Sequence, residues 1–278
     1  MRWLSEGHLY DSAGPGVFAN AEKRQFILAC LNSKPALQLL KMISPTISLQ
    51  IAEIERTPVP TAMFDDAQQR KAIAGLVDNC VGLARADWDN FETSWDFRDL
   101  PLLRLELKGA TLEASWRNWE AHCIVAIHQM QELETENNRL FIDAYGLDGE
   151  LQPEVPEEQI TLARADARRD IAAFLSYAIG CMMGRYRLDQ PGLIYAHSGN
   201  QGFDPSQYPT FPADADGIIP LLATDWGFPD DATQRTHEFL RATFGEATLN
   251  DNLRFIEEAL GKDLRKYFLT DFYKDGCV

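Results

Sequence analysis

The chain has 278 residues, of which 45% are hydrophobic and 24% are charged, so it carries enough apolar material for one or two globular domains. Its net charge of −16 argues against tight DNA binding by the chain as a whole, because Lys and Arg contacts to phosphate supply most non-specific affinity. Five unpatterned cysteines and the lack of a signal-peptide or membrane-spanning pattern predict reduced thiols in a cytoplasmic protein that does not enter a membrane.

The charge is distributed unevenly along the chain. Residues 1–60 contain six Lys/Arg and five Asp/Glu, whereas the remainder contains 20 basic and 37 acidic residues. We therefore expect any nucleic-acid surface to lie in the first sixty residues or in small local basic patches.

Residues 1–60 are predicted to form a small mixed unit. The pattern favours a helix over 24–32, and Pro35 can occupy the first turn of a second helix that ends near Met42. Ser44 and Pro45 then interrupt the helical pattern. Three apolar residues then alternate like a short strand, namely Ile47, Leu49 and Ile51.

Two long helices are predicted between residues 61 and 140. The first covers 65–88, and an aromatic connector over 92–103 separates it from the second. The second helix carries a heptad seam of Leu112, Trp116, Trp119, Cys123, Ala126, Met130, Leu133, Asn137 and Leu140. A compact connector between two such helices predicts an antiparallel hairpin, with a homodimeric coiled coil as the alternative.

A buried helix is predicted in the segment that follows. Pro153 and Pro156 exclude helix just before it, and Thr161 or Asp166 can cap its start. Its apolar stripe consists of Ile171, Phe174, Leu175, Ala178, Ile179, Met182 and Met183. Gly180 and Gly184 lack side chains, so we expect a neighbour to approach the backbone closely there.

The last part of the chain is predicted to be loop and then helical. A loop covers 198–216, and a helix capped by Asp230 or Asp231 ends at Gly245. Thr248 and Asp251 resemble a capping box for a final amphipathic helix, which Gly261 interrupts.

Several phrases in the chain resemble the PglX family, the adenine-specific DNA methyltransferases of BREX phage-defence systems. They are, in order, ETSWDF at 92–97, PLL at 101–103, NNRLFIDAYGL at 137–147, FLSYAIGCMMGRY at 174–186, GIIPL at 217–221, FLRATFG at 239–245 and NLRFI at 252–256. The family's members are several times longer, so the resemblance implies a C-terminal fragment.

The pattern and the resemblance together predict a mainly α fold in three parts. Residues 1–60 are expected to be the remnant of a mixed α/β target-recognition domain. Residues 61–140 are expected to form a long helical hairpin or coiled-coil spacer, and 141–278 an incomplete α-helical C-terminal domain. We expect DNA, through the full-length protein, and other defence-system proteins as partners.

No catalytic, cofactor or metal site is predicted in this chain. Methylation of adenine needs an Asn/Asp-Pro-Pro-aromatic turn, and the sequence has none, nor a glycine-rich cofactor turn between strand and helix. The resemblance therefore implies that S-adenosylmethionine binds in a missing N-terminal part and that this chain alone is inactive. His122 and His128 fall on different helix faces, and Asp99 with Glu106 and Lys108 lacks the strands of a nuclease site.

Five residues are candidates for DNA contact. The order of elements before residue 60 resembles the tail of target-recognition domains in type I specificity subunits, which implies Lys34, Lys41 and Gln50. In the alternative, Asn32 and Ser33 cap a helix and the lysines are solvated.

Arg169 and Arg187 complete the candidate set, because eighteen residues, about five turns, place them on one stripe of an unbroken helix. Their alternative is pairing with nearby acids of this acidic chain, namely Glu154, Glu157, Glu158 or Asp166, which the composition favours. The function predicted is a specificity or scaffold fragment of an N6-adenine DNA methyltransferase. The alternative is an acidic helical module that binds other defence proteins and not DNA.

Overall fold

The computed structural model describes Trp3 and residues 16–44, 50–197, 201–224 and 227–276. Within these residues the chain is built from helices and connecting loops without a β-sheet, which confirms the mainly α prediction. The helices are α1 Ala21–Asn32, α2 Lys34–Ile43, α3 Ile51–Glu55, α4 Thr61–Asp65, α5 Ala67–Trp88, α6 Leu112–Ala144, α7 Ala167–Met182, α8 Ala232–Phe244, α9 Leu249–Leu260, α10 Leu264–Thr270 and α11 Phe272–Gly276.

The helices predicted before residue 44 are confirmed, but the predicted strand is wrong where it can be checked. Ile47 and Leu49 lie outside the described residues. Ile51 begins α3 instead of continuing a strand. The backbone N–H of Gln50 donates to the Glu53 carboxylate over 2.7 Å. This hydrogen bond stabilises a helical start that the alternation of apolar residues did not indicate.

The chain folds into two compact units, and each unit combines two separate stretches. Unit 1 contains Met1–Arg85 and Val125–Leu162, and unit 2 contains Ala86–Ile124 and Ala163–Val278. Both long helices, α5 and α6, contribute to each unit. The sequence-based divisions at residues 60 and 140 stay a prediction.

The part of α5 and α6 within unit 1 forms the predicted hairpin. Near the start of α5, Ile73 clusters with Phe141 near the end of α6. Further along α5, Leu83 packs in the cluster of Met130, which lies earlier in α6. Such reversed order requires antiparallel helices. The heptad residues of α6 are buried or partly buried, which confirms that seam.

The core of unit 2 is organised around α7, as its apolar stripe predicts. Five stripe residues are wholly or almost wholly buried: Ile171, Phe174, Leu175, Ala178 and Met182. The Phe174 ring meets the Phe239 ring of α8 edge-on, with 5.5 Å between centroids. The Asp166 carboxylate accepts from the N–H of Arg169, which confirms the predicted cap.

The capping box predicted at the start of α9 is wrong. Thr248 is the N-cap, but its hydroxyl donates back to the Phe244 carbonyl at 3.0 Å and accepts from the Asn252 side chain at 3.2 Å. Residues 246–248 form a 3₁₀ turn, which directs the hydroxyl away from the first amides of α9. Tertiary geometry therefore overrides the sequence motif.

Gly180 in α7 and Gly184 just after it both allow close approach, and the helix ends earlier than the pattern predicted. A Cβ on Gly180 would lie 2.7 Å from the Tyr186 ring. Gly184 has a φ of +75°, and a Cβ there would lie 2.6 Å from Phe203 and 3.0 Å from the Tyr208 hydroxyl. Because α7 ends at Met182, Met183 leaves the buried stripe and is 40% exposed.

Replacing Gly184 by Ala is expected to lower the free energy of unfolding by about 2 kcal/mol, because strain at positive φ adds to a steric clash. Gly192→Ala is the matched control. Gly192 has a φ of +95°, but nothing lies within 4 Å of its Cβ position. Urea unfolding should therefore show a loss of only about 1 kcal/mol for the control. Equal losses would contradict a packing role for the rings near Gly184.

None of the described helices is by itself long and apolar enough to cross a membrane. One bent pair, Lys23–Asn32 with Lys34–Ile43 at 69°, meets that criterion when its two helices are combined.

Candidate nucleic-acid interface

Lys34, the first candidate for DNA contact, is engaged inside unit 1. Its ammonium donates to the carbonyl of Gln152 at 2.8 Å and to that of Glu154. Its backbone N–H donates to the Asn138 side chain at 2.9 Å. Lys34 therefore fixes the loop over 152–154 to the start of α2 and is not simply solvated, while its contact with DNA stays a prediction.

Lys41 and Gln50 lie at the outer ends of their helices. Both side chains are exposed, with Lys41 in the last turn of α2 and Gln50 at the start of α3. The capping role considered for Asn32 and Ser33, the two residues before Lys34, is confirmed: the Ser33 hydroxyl donates to the Cys30 carbonyl and the Asn32 amide to the Leu28 carbonyl. The DNA-contact role of Lys41 and Gln50 stays a prediction.

Arg169 binds a buried acid at the start of α7. Its guanidinium donates twice to one Asp170 oxygen, at 3.2 Å and 3.0 Å, and also to the Arg164 carbonyl. The guanidinium carbon lies 5.5 Å from the centroid of the Phe91 ring. These contacts fix the guanidinium group within unit 2, while about half of the Arg169 side chain stays accessible to solvent.

Arg187 forms a two-point ion pair with Asp189. The Nε and terminal nitrogen atoms lie 2.9 Å and 3.0 Å from the two carboxylate oxygens, and this pairing lowers the pKa of Asp189. The shared helical stripe predicted for Arg169 and Arg187 is wrong, because α7 ends at Met182 and Gly184 turns the chain before Arg187. Both arginines pair with acids, as the alternative states, but their partners are Asp170 and Asp189 and not the acids named from the sequence.

The Asp170 carboxylate is the hub of a network that sequence reasoning missed. It is 5% exposed and accepts from the Trp116 indole N–H at 3.2 Å and from the Asp166 backbone N–H at 2.9 Å, in addition to Arg169. The network joins α6 to the start of α7 within unit 2. The available signal was an indole in a buried seam, because such an N–H needs an acceptor.

Two adjacent asparagines of α6 form a second network, in unit 1. The Asn137 amide donates to the Ala29 carbonyl of α1 at 3.0 Å. Asn138 accepts from the Lys34 N–H and donates to the Pro153 carbonyl at 2.9 Å. Since both side chains are buried, this pair fixes the junction of α1 and α2 to α6.

The remaining reactive side chains are arranged for packing and pairing. Burial raises the pKa of Cys80 to about 11 and that of Cys123 to about 12, so these thiols stay protonated at neutral pH. Asp99 pairs with Arg104, and the Lys108 ammonium lies 5.4 Å from the centre of the Phe244 ring. No cluster of His, Cys, Asp and Glu suited to a metal ion occurs in the part of the chain that the structure describes.

Comparison with known proteins gives two relatives along nearly the whole chain. The chain is 37% identical over 285 residues to adenine-specific methyltransferase PglX of Lacticaseibacillus casei (strain Zhang), with 98% of the chain covered. It is 34% identical over 315 residues to adenine-specific methyltransferase BrxX of Escherichia coli O9:H4 (strain HS), with 99% covered. The resemblance to the PglX methyltransferases is confirmed.

The chain spans about a quarter of the length of these curated relatives, namely 23% of PglX and 25% of BrxX. No family model matches the chain. The two alignments cover 98% and 99% of the chain. The two networks and the candidate cations therefore lie within or close to sequence that aligns with an adenine-specific methyltransferase.

Proposed function

We propose that this chain is a non-catalytic specificity and scaffold part of an adenine-specific (N6) DNA methyltransferase in a BREX phage-defence system. The observation that carries the proposal is similarity over 98–99% of the chain to about a quarter of two adenine-specific methyltransferases. The absence of an Asn/Asp-Pro-Pro-aromatic sequence supports a role apart from methyl transfer. S-adenosylmethionine would bind elsewhere in the whole enzyme.

The contacts of the candidate cations favour a scaffold role over a large DNA footprint. Lys34, Arg169 and Arg187 hold carbonyl or carboxylate groups of their own unit. Lys41 and Gln50 are exposed and lie in the segment where basic and acidic residues are nearly equal in number. The proposal therefore assigns a small DNA contact to that segment and a supporting role to the rest.

The second candidate function is an acidic module that binds other components of the defence system without touching DNA. It is favoured by the excess of 37 acidic over 20 basic residues beyond residue 60. Such a surface repels phosphate and attracts basic protein partners.

Duplex DNA binding over a range of salt concentrations separates the two functions. If the first is right, the chain binds weakly and Lys41→Glu reduces the slope of log K against log salt by about one. Lys71→Glu is the matched control, since Lys71 is exposed on α5, and it should leave the slope unchanged. Absence of binding at low salt would leave only the second function.

The paired substitution Arg169→Glu with Arg187→Glu tests the remaining candidates in the full-length enzyme. We expect DNA affinity and salt slope to stay the same, because both guanidinium groups serve acids of this chain. A decrease of about two in the slope of log K against log salt would show that both arginines contact phosphate. Transfer of a labelled methyl group by this chain alone would contradict its non-catalytic assignment.

A further inference from the structure

An open groove lies between α5 and α6 in unit 1. Its volume is about 400 Å³, and its lining consists of Asn79, Leu83, Gln129, Glu132, Leu133 and Glu136. The two leucines are only partly buried, so the groove has an apolar floor that water reaches. An apolar floor between two helices is suited to accept side chains from a third helix.

The other flank of α6 is already covered. The Gln131 side chain donates to the Val155 carbonyl at 2.7 Å, and the Thr135 hydroxyl accepts from the N–H of the same residue. Residues 153–155 therefore occupy that flank. The groove flank, which includes the seam residue Leu133, is the side of the hairpin left for a partner.

Two glycines remove bulk from α5 beside the groove. Gly75 and Gly82 are exposed, and nothing lies within 4 Å of the Cβ that either would carry. Gly75 is four residues before Asn79, which lines the groove, and Gly82 is three residues after it. Both glycines therefore lie toward the same side of the helix as Asn79. A mid-helix glycine costs about 1 kcal/mol relative to Ala, which close approach of a partner helix would offset.

The α6 side of the groove is acidic. Glu132 and Glu136 are one turn apart, and Glu136 also pairs with Arg139 on the same helix. Like charges at this spacing oppose each other, so a cation placed between them would be favourable. This sign of charge repels nucleic acid and selects a basic occupant.

We propose that the α5–α6 groove is a docking site for a basic amphipathic helix of a protein partner. Apolar residues of that helix pack on Leu83 and Leu133, and its Lys or Arg residues face Glu132 and Glu136. The helix passes closest to α5 at Gly75 and Gly82. This inference goes beyond the proposed function and does not depend on DNA binding.

The test uses a fluorescein-labelled peptide of about 20 residues, with Leu on one helical stripe and Lys on both sides of it, in fluorescence anisotropy at physiological salt. A peptide with Glu in place of every Lys is the charge control. We expect the Lys peptide to bind and the Glu peptide not to bind. Absence of Lys-peptide binding, or equal binding of both, would overturn the proposal.

Two variants of the protein locate the binding. Glu132→Lys with Glu136→Lys should weaken it about tenfold or more, whereas Asp143→Lys with Glu150→Lys, the same charge change at exposed acids of unit 1, should leave it within about twofold. Equal losses would indicate general attraction to an acidic protein and would overturn the groove assignment.

Gly75→Leu with Gly82→Leu tests the close approach without any change of charge. The substitutions fill the open side of α5 and should weaken peptide binding about tenfold or more. They should also raise the stability of the free protein, because Leu favours helix over Gly. Unchanged binding by this stably folded variant would exclude the groove as the site.

Discussion

Replacing Asp170 by Ala is expected to lower the free energy of unfolding by about 3 kcal/mol. The substitution removes the acceptor for the Trp116 indole and for the Asp166 backbone N–H, and it leaves the Arg169 guanidinium without its acid. A buried donor left without an acceptor destabilises the protein by more than the hydrogen bond had stabilised it. Because Arg169 is half-exposed, water compensates for part of its loss.

Urea unfolding followed by circular dichroism checks this result. Asp251→Ala is the control, since Asp251 is a mostly exposed acid on α9 whose pair with Arg254 is on the surface. That control should change stability by about 0.5 kcal/mol or less. Asp170→Asn keeps one acceptor oxygen and should give an intermediate loss. Asp170→Ala within the range of the control would show that the network is not stabilising.

The periodicity of apolar residues was sufficient to predict most of the helical architecture. The stripe around Phe174 predicted α7, and the seam from Leu112 predicted α6 together with its buried face. Both predictions rest on the 3.6-residue repeat, which the sequence shows directly. The apolar repeat did not give the end of α7 at Met182, because that end is set by Gly184, which turns the chain at a φ of +75°.

Local motifs failed where a competing contact was decisive. The Thr248 side chain was expected to cap α9, but the preceding 3₁₀ turn directs its hydroxyl to Phe244. The alternation that ends at Ile51 suggested a strand, yet the Gln50–Glu53 contact begins a helix. In each case a short motif was compatible with two conformations, and sequence pattern alone does not give their relative free energies.

Lys34, Lys41 and Gln50 were predicted from a resemblance in the order of elements, and Arg169 and Arg187 from their spacing. Neither argument identifies the partners of a side chain. The ammonium of Lys34 binds carbonyl groups 118 and 120 residues later in the chain. Similarly, the acceptor of the Trp116 indole is Asp170, 54 residues later. A positive charge in an acidic chain has several carboxylate and carbonyl acceptors available to it, and only the fold shows which of these contacts form.

Asn138 gives the second large effect, because Asn138→Ala is expected to destabilise the protein by about 2 kcal/mol. The side chain is 4% exposed and serves both the Lys34 N–H and the Pro153 carbonyl. Lys34 is the first residue of α2, so its N–H has no acceptor within the helix. Loss of Asn138 therefore leaves that amide without a protein acceptor.

Hydrogen exchange at the Lys34 amide distinguishes this cause from general destabilisation. In Asn138→Ala the Lys34 amide should exchange at least about tenfold faster under native conditions, while amides in the middle of α2 keep most of their protection. Asn138→Asp should retain protection at Lys34, because a carboxylate still accepts, but should lose the bond to Pro153. Asn79→Ala, at an exposed position of α5, is the control and should change neither stability nor exchange. If the Lys34 amide exchanges equally in Asn138→Ala and in the unsubstituted chain, the asparagine does not hold the start of α2, and the fixed junction of α1 and α2 needs another explanation.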